Sequence, residues 1–317
     1  MKRIILALAA IICISSLYSQ ERFTAGDLLL YEVVDKNKVE IIYAEESISK
    51  INIPTTVMNN GTTYNVSSIG GKAFYGCSNL VSVNIPNSID SLKEGAFIKC
   101  SNLSSITIAN NVRYIGDYAF KLCQNLTSIK IPSSVQYIGE YAFILCKKLT
   151  SITIPNGIKH IKESTFESCN SLSTITIPNS ISVICSTAFS ECTSLTYVNI
   201  PNSVQNIEMG AFSYCYNLVE INIPNGIQSI EDFVFYDCRS LPTITIPNSV
   251  TYIGKYAFED CTNLTTITCL AQETPILDND VFPYPNDITL LVPKGCKDKY
   301  INSDWNNYFD GRIIEME

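Results

Sequence analysis

The sequence predicts a repeat solenoid, a fold in which short similar units stack in a row and share one core. Nine cysteines recur every 23 residues from Cys77 to Cys261, and a leucine follows each of them by three positions. A phenylalanine precedes each cysteine by three, and no insertion interrupts the series after Phe74. A fixed period of this length is typical of repeat arrays, so we expect neighbouring units to stack in register. The cysteines are Cys77, Cys100, Cys123, Cys146, Cys169, Cys192, Cys215, Cys238 and Cys261.

Each unit divides into a strand, a turn, a return segment and a second turn. The strand reads Leu-x-x-Ile-x-Ile, alternates apolar and polar residues, and ends at a proline, which cannot donate to a ladder. Asn-Ser or Asn-Gly follows as a turn, and Val-x-x-Ile begins the return. The last part, as in Ala142-Phe143-Ile144-Leu145-Cys146, predicts a short helix or 3₁₀ turn. One unit cannot bury its apolar side chains alone, so stacked units must share a continuous core.

The two ends depart from the repeat, as array ends must if they are to cover the first and last units. We expect residues 20–73 to form an N-terminal cap, with a hairpin from Leu28 to Tyr43 and an imperfect first repeat at Ile51–Pro54. Residues 74–264 hold nine regular repeats. Residues 265–317 form a C-terminal cap, in which Trp305, Tyr308 and Phe309 close the last core.

The start of the chain predicts export. Lys2 and Arg3 precede an apolar run that is too short to span a bilayer, so residues 1–19 are expected to be a signal peptide cleaved after Ser19. A lipid anchor on Cys13 is the alternative, which the bulky Ile12 disfavours. We expect a secreted or cell-surface protein with no membrane span. The net charge of −8 argues against nucleic acid as a partner.

The repeated motif resembles the 23-residue class of bacterial leucine-rich repeats, and it is most similar to the BspA-like family over residues 51–270. The segment from Leu291 to Gly295 also resembles the tail that closes such arrays. The resemblance implies a curved array with a parallel β-sheet, short turns and capped ends. It also implies an adhesin-like function and no shared catalytic motif. Departures such as Ala109 in place of proline and Cys185 in place of glycine are small.

The cysteines favour a reduced structural ladder over disulfides. In stacked units their Cα atoms lie about 5 Å apart, but their side chains run parallel rather than toward one another. Free cysteine also packs as a small buried hydrophobe. No C-x-x-C pair indicates zinc, and no cofactor is expected. A disulfide between Cys269 and Cys296 stays open as a link between cap and array.

Catalysis has little support in the sequence, and we expect no enzyme. His160 is the only histidine, and tyrosine fills its place in the repeat in two earlier units. Later units have Val183 and Asn206 there, and a position that accepts such different side chains is a surface position. The chain has no nucleophile elbow, zinc-protease motif or phosphate-binding glycine loop.

Two surface stripes are candidate ligand-binding sites. The outward strand positions are mostly serine and threonine, and this pattern gives way to larger groups at Lys130, Tyr197 and Glu220. A second stripe, on the return edge, carries Tyr114, Tyr137 and His160. The alternatives are a merely solvated sheet and half-buried packing of the tyrosine rings. Charge is also uneven, with a net +4 from residue 93 to 167 and a net −6 from 191 to 260.

These stripes lead to three functional hypotheses. The first is an adhesin-like module that binds a host matrix or cell-surface protein, since tyrosine is enriched at protein-binding hot spots. The second is a surface subunit that captures glycans or peptides for uptake. The third is a structural spacer that has no ligand.

Overall fold

The computed structural model describes residues 21–283, 287–309 and 311–317, which form a parallel β-solenoid of about 12 turns with almost no helix. The solenoid predicted from the 23-residue period is therefore confirmed. The predicted signal peptide, including Cys13, lies outside the described residues. The buried residues form one continuous apolar core that runs through every turn.

The first strand of each turn, called here the front strand, keeps the predicted register. Ser82 lies opposite Ser105, and Thr243 lies opposite Thr266. The front strands are β4 Lys50–Asn52, β7 Ser82–Ile85, β9 Ser105–Ile108, β12 Ser151–Thr153, β14 Thr174–Thr176, β16 Tyr197–Val198, β18 Glu220–Ile221, β20 Thr243–Ile246, β22 Thr266–Cys269, β24 Thr289–Val292 and β25 Ile313–Glu315. Their ladder is divided into groups of three, two, two and four strands.

The return strands form a second set along the array. They are β6 Thr62–Ile69, β8 Ser91–Leu92, β10 Tyr114–Ile115, β11 Tyr137–Ile138, β13 His160–Ile161, β15 Val183–Ile184, β17 Asn206–Ile207, β19 Ser229–Ile230, β21 Tyr252–Ile253 and β23 Ile276–Leu277. The ladder stops between β11 and β13 and between β17 and β19. Both stops follow a unit boundary where Gly157 or Gly226 replaces the usual serine. At this position Ser134 Oγ donates to the Val112 carbonyl at 2.7 Å and Ser249 Oγ to the Ile227 carbonyl at 2.6 Å. Ser180 and Ser203 Oγ have no such partner although the ladder continues past them, so the loss of the serine does not by itself explain the stops.

The segment expected to be a short helix or 3₁₀ turn is a series of separate tight turns, so this detail of the prediction is corrected. Ala96 N–H donates to the Lys93 carbonyl three residues back at 3.1 Å, but Phe97 N–H donates to Ala119 of the next unit at 2.8 Å. Lys99 has a φ of 61°, and most other units also have a left-handed residue here. Because a left-handed residue cannot continue a right-handed helix, the turns stay separate.

Phenylalanine rings form a stack along the inside of the array. Neighbouring ring centroids lie 4.9 to 6.0 Å apart, which is the range of favourable aromatic pairs. The rings belong to Phe74, Phe97, Phe120, Phe143, Phe166, Phe189, Phe212, Phe235, Phe258 and Phe282. This stack connects each unit to the next within the shared core.

The cysteines of the ladder are free and buried, as predicted. From Cys100 onward, each thiol donates to the carbonyl of the phenylalanine 26 residues earlier, for example Cys169 Sγ to Phe143 O at 3.3 Å. Burial raises the pKa of the Cys146 thiol to about 12, so the thiol form is kept. Cys269 and Cys296 are also free, and the disulfide left open between them is not formed in this structure.

The N-terminal segment contains the expected hairpin, which extends the return sheet. The hairpin strands are β2 Leu29–Asp35 and β3 Lys38–Ala44, with β1 Arg22–Thr24 antiparallel to β2. β3 pairs in parallel with β6, and β5 Thr56–Asn59 forms a second hairpin with β6. The hairpin thereby covers the edge of the first return strand. Buried Glu40 fixes this junction through the Ser68 hydroxyl at 2.6 Å and the Lys93 ammonium at 2.5 Å.

At the other end, two short helices lie beside the last turns. The helices are Lys297–Ile301 and Asn306–Phe309. The Trp305, Tyr308 and Phe309 rings all contact Phe282, the last ring of the stack. Trp305 Nε1 also donates to the Pro275 carbonyl at 2.8 Å. The expectation that these three aromatic residues pack on the end of the core is confirmed.

Candidate functional site

Tyr197 and Glu220, predicted on the front face, lie side by side. They begin β16 and β18 and are direct partners in the parallel ladder, which places their backbones about 4.8 Å apart. Both side chains are exposed, and Tyr197 is 52% accessible. Val219, just before β18, is 51% accessible and adds apolar surface to them. We call Tyr197, Val219 and Glu220 the front patch.

Lys130 lies on the same face but away from the front patch. It is exposed and occupies the unit position of Asn199, three units earlier. Three strand spacings amount to about 15 Å. The structure therefore brings Tyr197 and Glu220 together and leaves Lys130 at a distance.

A cleft of about 520 Å³, which the sequence analysis missed, borders the front patch. It lies between β18 and β20, where the front ladder stops. Pro242 lines the cleft and occupies the repeat position of Val219, one unit later. Val219 N–H donates to the Thr196 carbonyl of the unit before it at 2.9 Å. Because proline has no N–H, the equivalent bond to Val219 cannot form. One edge of β18 and one edge of β20 consequently face the cleft without ladder bonds between them.

Asn222 stabilises the backbone on the other side of the front patch. Its Oδ1 accepts from Ile200 N–H at 2.7 Å, and its Nδ2 donates to the Ile200 carbonyl at 2.8 Å. A side-chain amide thus replaces the backbone pairing that would otherwise continue β16. The front patch therefore has a fixed backbone at β16 and an open edge at the cleft.

On the return edge, Tyr114 and Tyr137 form a stacked pair. Their ring centroids are 4.7 Å apart with an interplanar angle of 5°. The Tyr137 hydroxyl donates to Asp117 Oδ1 at 3.1 Å, and desolvation together with this bond raises the pKa of Tyr137 to about 12. The two rings pack against each other and are partly buried, which was the alternative to a ligand-binding stripe. Tyr114 nevertheless remains 39% accessible.

His160 does not join the two tyrosines in one ladder. It begins β13, is exposed, and pairs with Val183 of the following unit. The ladder stops between Tyr137 and His160, at the unit that contains Gly157. The second predicted stripe is therefore a stacked tyrosine pair with a separate histidine beyond it.

No group of three or more histidine, cysteine or acidic residues among the described residues is arranged to hold a metal ion. No helix within those residues is long and apolar enough to cross a membrane.

The fold and the repeated motif define a leucine-rich-repeat protein. Residues 40–173 and 159–289 match the BspA type leucine rich repeat region, in six copies. The chain belongs to this family, whose members are typically binding modules and not enzymes. No curated protein is similar enough in sequence to count as a match.

Several solved structures share the fold. A leucine rich cell surface protein from Faecalibacterium prausnitzii is 25% identical, with a TM-score of 0.63, and the match covers 95% of this chain and 96% of that one. The pneumococcal vaccine antigen PcpA is 18% identical with a TM-score of 0.52, covering 95% and 100% of the two chains. A leucine-rich repeat protein from Eubacterium ventriosum is 21% identical with a TM-score of 0.53, covering 94% and 85%. The last two similarities show the fold alone.

Proposed function

We propose that this protein is a secreted or cell-surface adhesin-like module that binds a host matrix or cell-surface protein through its front face. The family supports a protein-interaction module, and the similar structure from Faecalibacterium prausnitzii is that of a cell surface protein. The residues expected to carry binding are Tyr197 and Glu220, with a smaller contribution from Lys130.

The observation that carries the proposal is the exposed front patch beside an open cleft. Tyr197 and Val219 each expose about half of their surface, on a face whose outward strand positions are mostly serine and threonine. Tyrosine in such a position supplies contact area at low entropic cost. The edges of β18 and β20 also offer backbone groups to a partner that reaches into the cleft.

The front face is large enough for a protein ligand. Eleven front strands are present among the described residues. At about 4.8 Å per strand and about 15 Å of width, nine of them present roughly 650 Å². A standard interface uses about 800 Å² per partner, so the front face and one flanking edge suffice.

An array of immobilised matrix and cell-surface proteins, probed with the chain from residue 20 onward, tests this proposal. For a protein that binds, the double variant Tyr197→Thr and Glu220→Thr should raise the Kd at least about tenfold, because both central side chains are lost. Lys130→Ser, about 15 Å away, should change the Kd by less than about threefold. The urea midpoints of all three proteins should agree, which shows that folding is intact.

Two results would redirect the assignment. If the double variant binds as tightly as the parent, the front patch is not the site. A variant with Tyr114→Ser and His160→Ser then tests the return edge, our second choice. If glycans bind on a parallel array and no protein does, the capture subunit replaces the adhesin-like module.

A further inference from the structure

The turn segments at the acidic end of the array carry partly exposed aromatic rings that the proposed function does not use. Five rings, each half-buried, contact one another there, with centroid distances from 5.0 to 6.5 Å. We call them the aromatic cluster: Tyr214, Tyr216, Phe233, Tyr236 and Tyr256. The cluster spans three successive units and belongs to the turns, not to the front strands.

Three of the five rings stand at backbone positions that suit glycine better. Tyr214, Phe233 and Tyr256 have φ values of 59°, 59° and 57°. Other units have glycine at these repeat positions. Gly76, at φ 71°, is the equivalent of Tyr214, and Gly210, at φ 63°, is the equivalent of Phe233 and Tyr256. A bulky residue in this region is strained, so folding alone does not favour these rings. They can also be replaced by glycine without loss of the turn.

The ring faces of the cluster attract cations in this molecule. The Arg239 guanidinium carbon lies 4.7 Å from the centroid of the Tyr216 ring. The Lys255 ammonium lies 4.6 Å from the centroid of the Tyr256 ring. Both geometries are those of cation–π contacts.

Carboxylates exceed cations in this part of the array, and one of them, Asp260, is hydrogen-bonded to the Tyr236 hydroxyl of the aromatic cluster. Glu259, Asp260 and Asp280 have no ion pair within the described ranges 21–283, 287–309 and 311–317. Desolvation, and then the charges of Asp260 and Asp280, raise the pKa of Glu259. From residue 231 to 260 there are five acidic residues and two basic ones, a net charge of −3. Ring faces and excess negative charge therefore occur together.

We propose that the aromatic cluster binds a lysine- or arginine-bearing segment of a partner protein. Side-chain cations of the segment lie over the ring faces and against the Glu259 and Asp260 carboxylates. The negative charge favours this ligand over a neutral glycan, which would gain little from it. The site goes beyond the front patch and does not depend on it.

The test uses a fluorescein-labelled peptide of alternating glycine and lysine, followed by fluorescence anisotropy. The same peptide with every lysine acetylated is the neutral control. The double variant Phe233→Gly and Tyr256→Gly should raise the Kd of the lysine peptide by about tenfold, since two ring faces are lost. Raising the salt concentration should also weaken binding to the parent protein.

A matched control exists in the basic part of the array. Tyr118 and Tyr141 occupy the same unit position, with φ values of 58° and 57°, and their rings are also in contact at 4.9 Å. The variant Tyr118→Gly and Tyr141→Gly removes two rings in the same way and should leave the Kd within about twofold of the parent value. Unchanged urea midpoints in both variants show that neither loss of binding comes from unfolding.

Four results would overturn the proposal. They are equal binding of the acetylated peptide, equal loss in the two glycine variants, no binding by the parent, and binding of cellohexaose or chitohexaose in place of the lysine peptide. The variant Tyr197→Thr and Glu220→Thr should bind the lysine peptide as the parent does. A failure of the aromatic cluster is thereby distinguished from a failure of the front patch.

Discussion

Truncation of one ring in the phenylalanine stack tests the core of the solenoid. Phe166 is 1% accessible, and its ring lies 5.6 Å from Phe143 and 5.5 Å from Phe189. A buried phenylalanine removes about 150–250 Å² from water, which at about 25 cal/mol per Å² corresponds to roughly 4–6 kcal/mol. Measured Phe→Ala costs are about 3–5 kcal/mol, and we expect Phe166→Ala to fall in that range.

The variant Phe166→Leu separates ring stacking from burial. Leucine keeps most of the apolar volume but loses two ring pairs worth about 0.5–1.5 kcal/mol each, so its cost should be about 1–3 kcal/mol. Tyr197→Ala removes an exposed ring, and its free energy of unfolding should stay within about 0.5 kcal/mol of the parent value. Urea unfolding followed by far-ultraviolet circular dichroism measures all three. A cost below about 1 kcal/mol for Phe166→Ala, or equal costs for alanine and leucine, would refute the stacked core.

Three further predictions concern buried polar groups. The ladder thiols should resist a thiol reagent in the native protein and titrate fully in guanidinium without reductant; a low count after denaturation would show disulfides. Because burial raises the pKa of Cys146 from 9.0 to about 12, its contribution to stability should be complete below pH 9 and lost as the pH rises toward 12. Cys146→Ala should therefore flatten the alkaline fall in unfolding free energy by up to about 1.4 kcal/mol per pH unit, and an unchanged slope would contradict this. Finally, Ser68→Ala should cost about 1–3 kcal/mol because buried Glu40 loses a donor, whereas Ser105→Ala on the exposed side of a front strand should cost less than about 0.5 kcal/mol by urea unfolding. Equal costs would argue against a special role for the Glu40 junction.

The register of the array could be predicted because every unit has the same length. Residues 23 apart must then face each other, as Tyr197 and Glu220 do. The same spacing separates Lys130 from them. Tyr197 follows Lys130 by 67 residues, two fewer than three full units of 23, so the two residues occupy different repeat positions three units apart. The separation of Lys130 was thus present in the sequence, although the candidate site grouped all three residues.

Other features depend on backbone details that the sequence does not display. Spacing by three suits both a 3₁₀ turn and successive tight turns, and residues such as Lys99 give no sign of a positive φ. The acceptors of the ladder thiols are backbone carbonyls, which every residue has. Pro242 is visible in the sequence. That it interrupts the front ladder can be seen only from the structure, which shows that the backbone N–H at this repeat position donates to the preceding unit. The cleft beside the front patch therefore needed the structure.

Hydrogen–deuterium exchange of the protein alone and saturated with a protein ligand from the array tests whether binding occurs through the front face. We expect slower exchange in the complex for segments 196–201 and 219–225, which contain the front patch and one side of the cleft. Segment 210–216, in the turns of the same units, should be unchanged. Protection confined to the turns or to the return strands, with the front segments unaffected, would contradict binding through the front face.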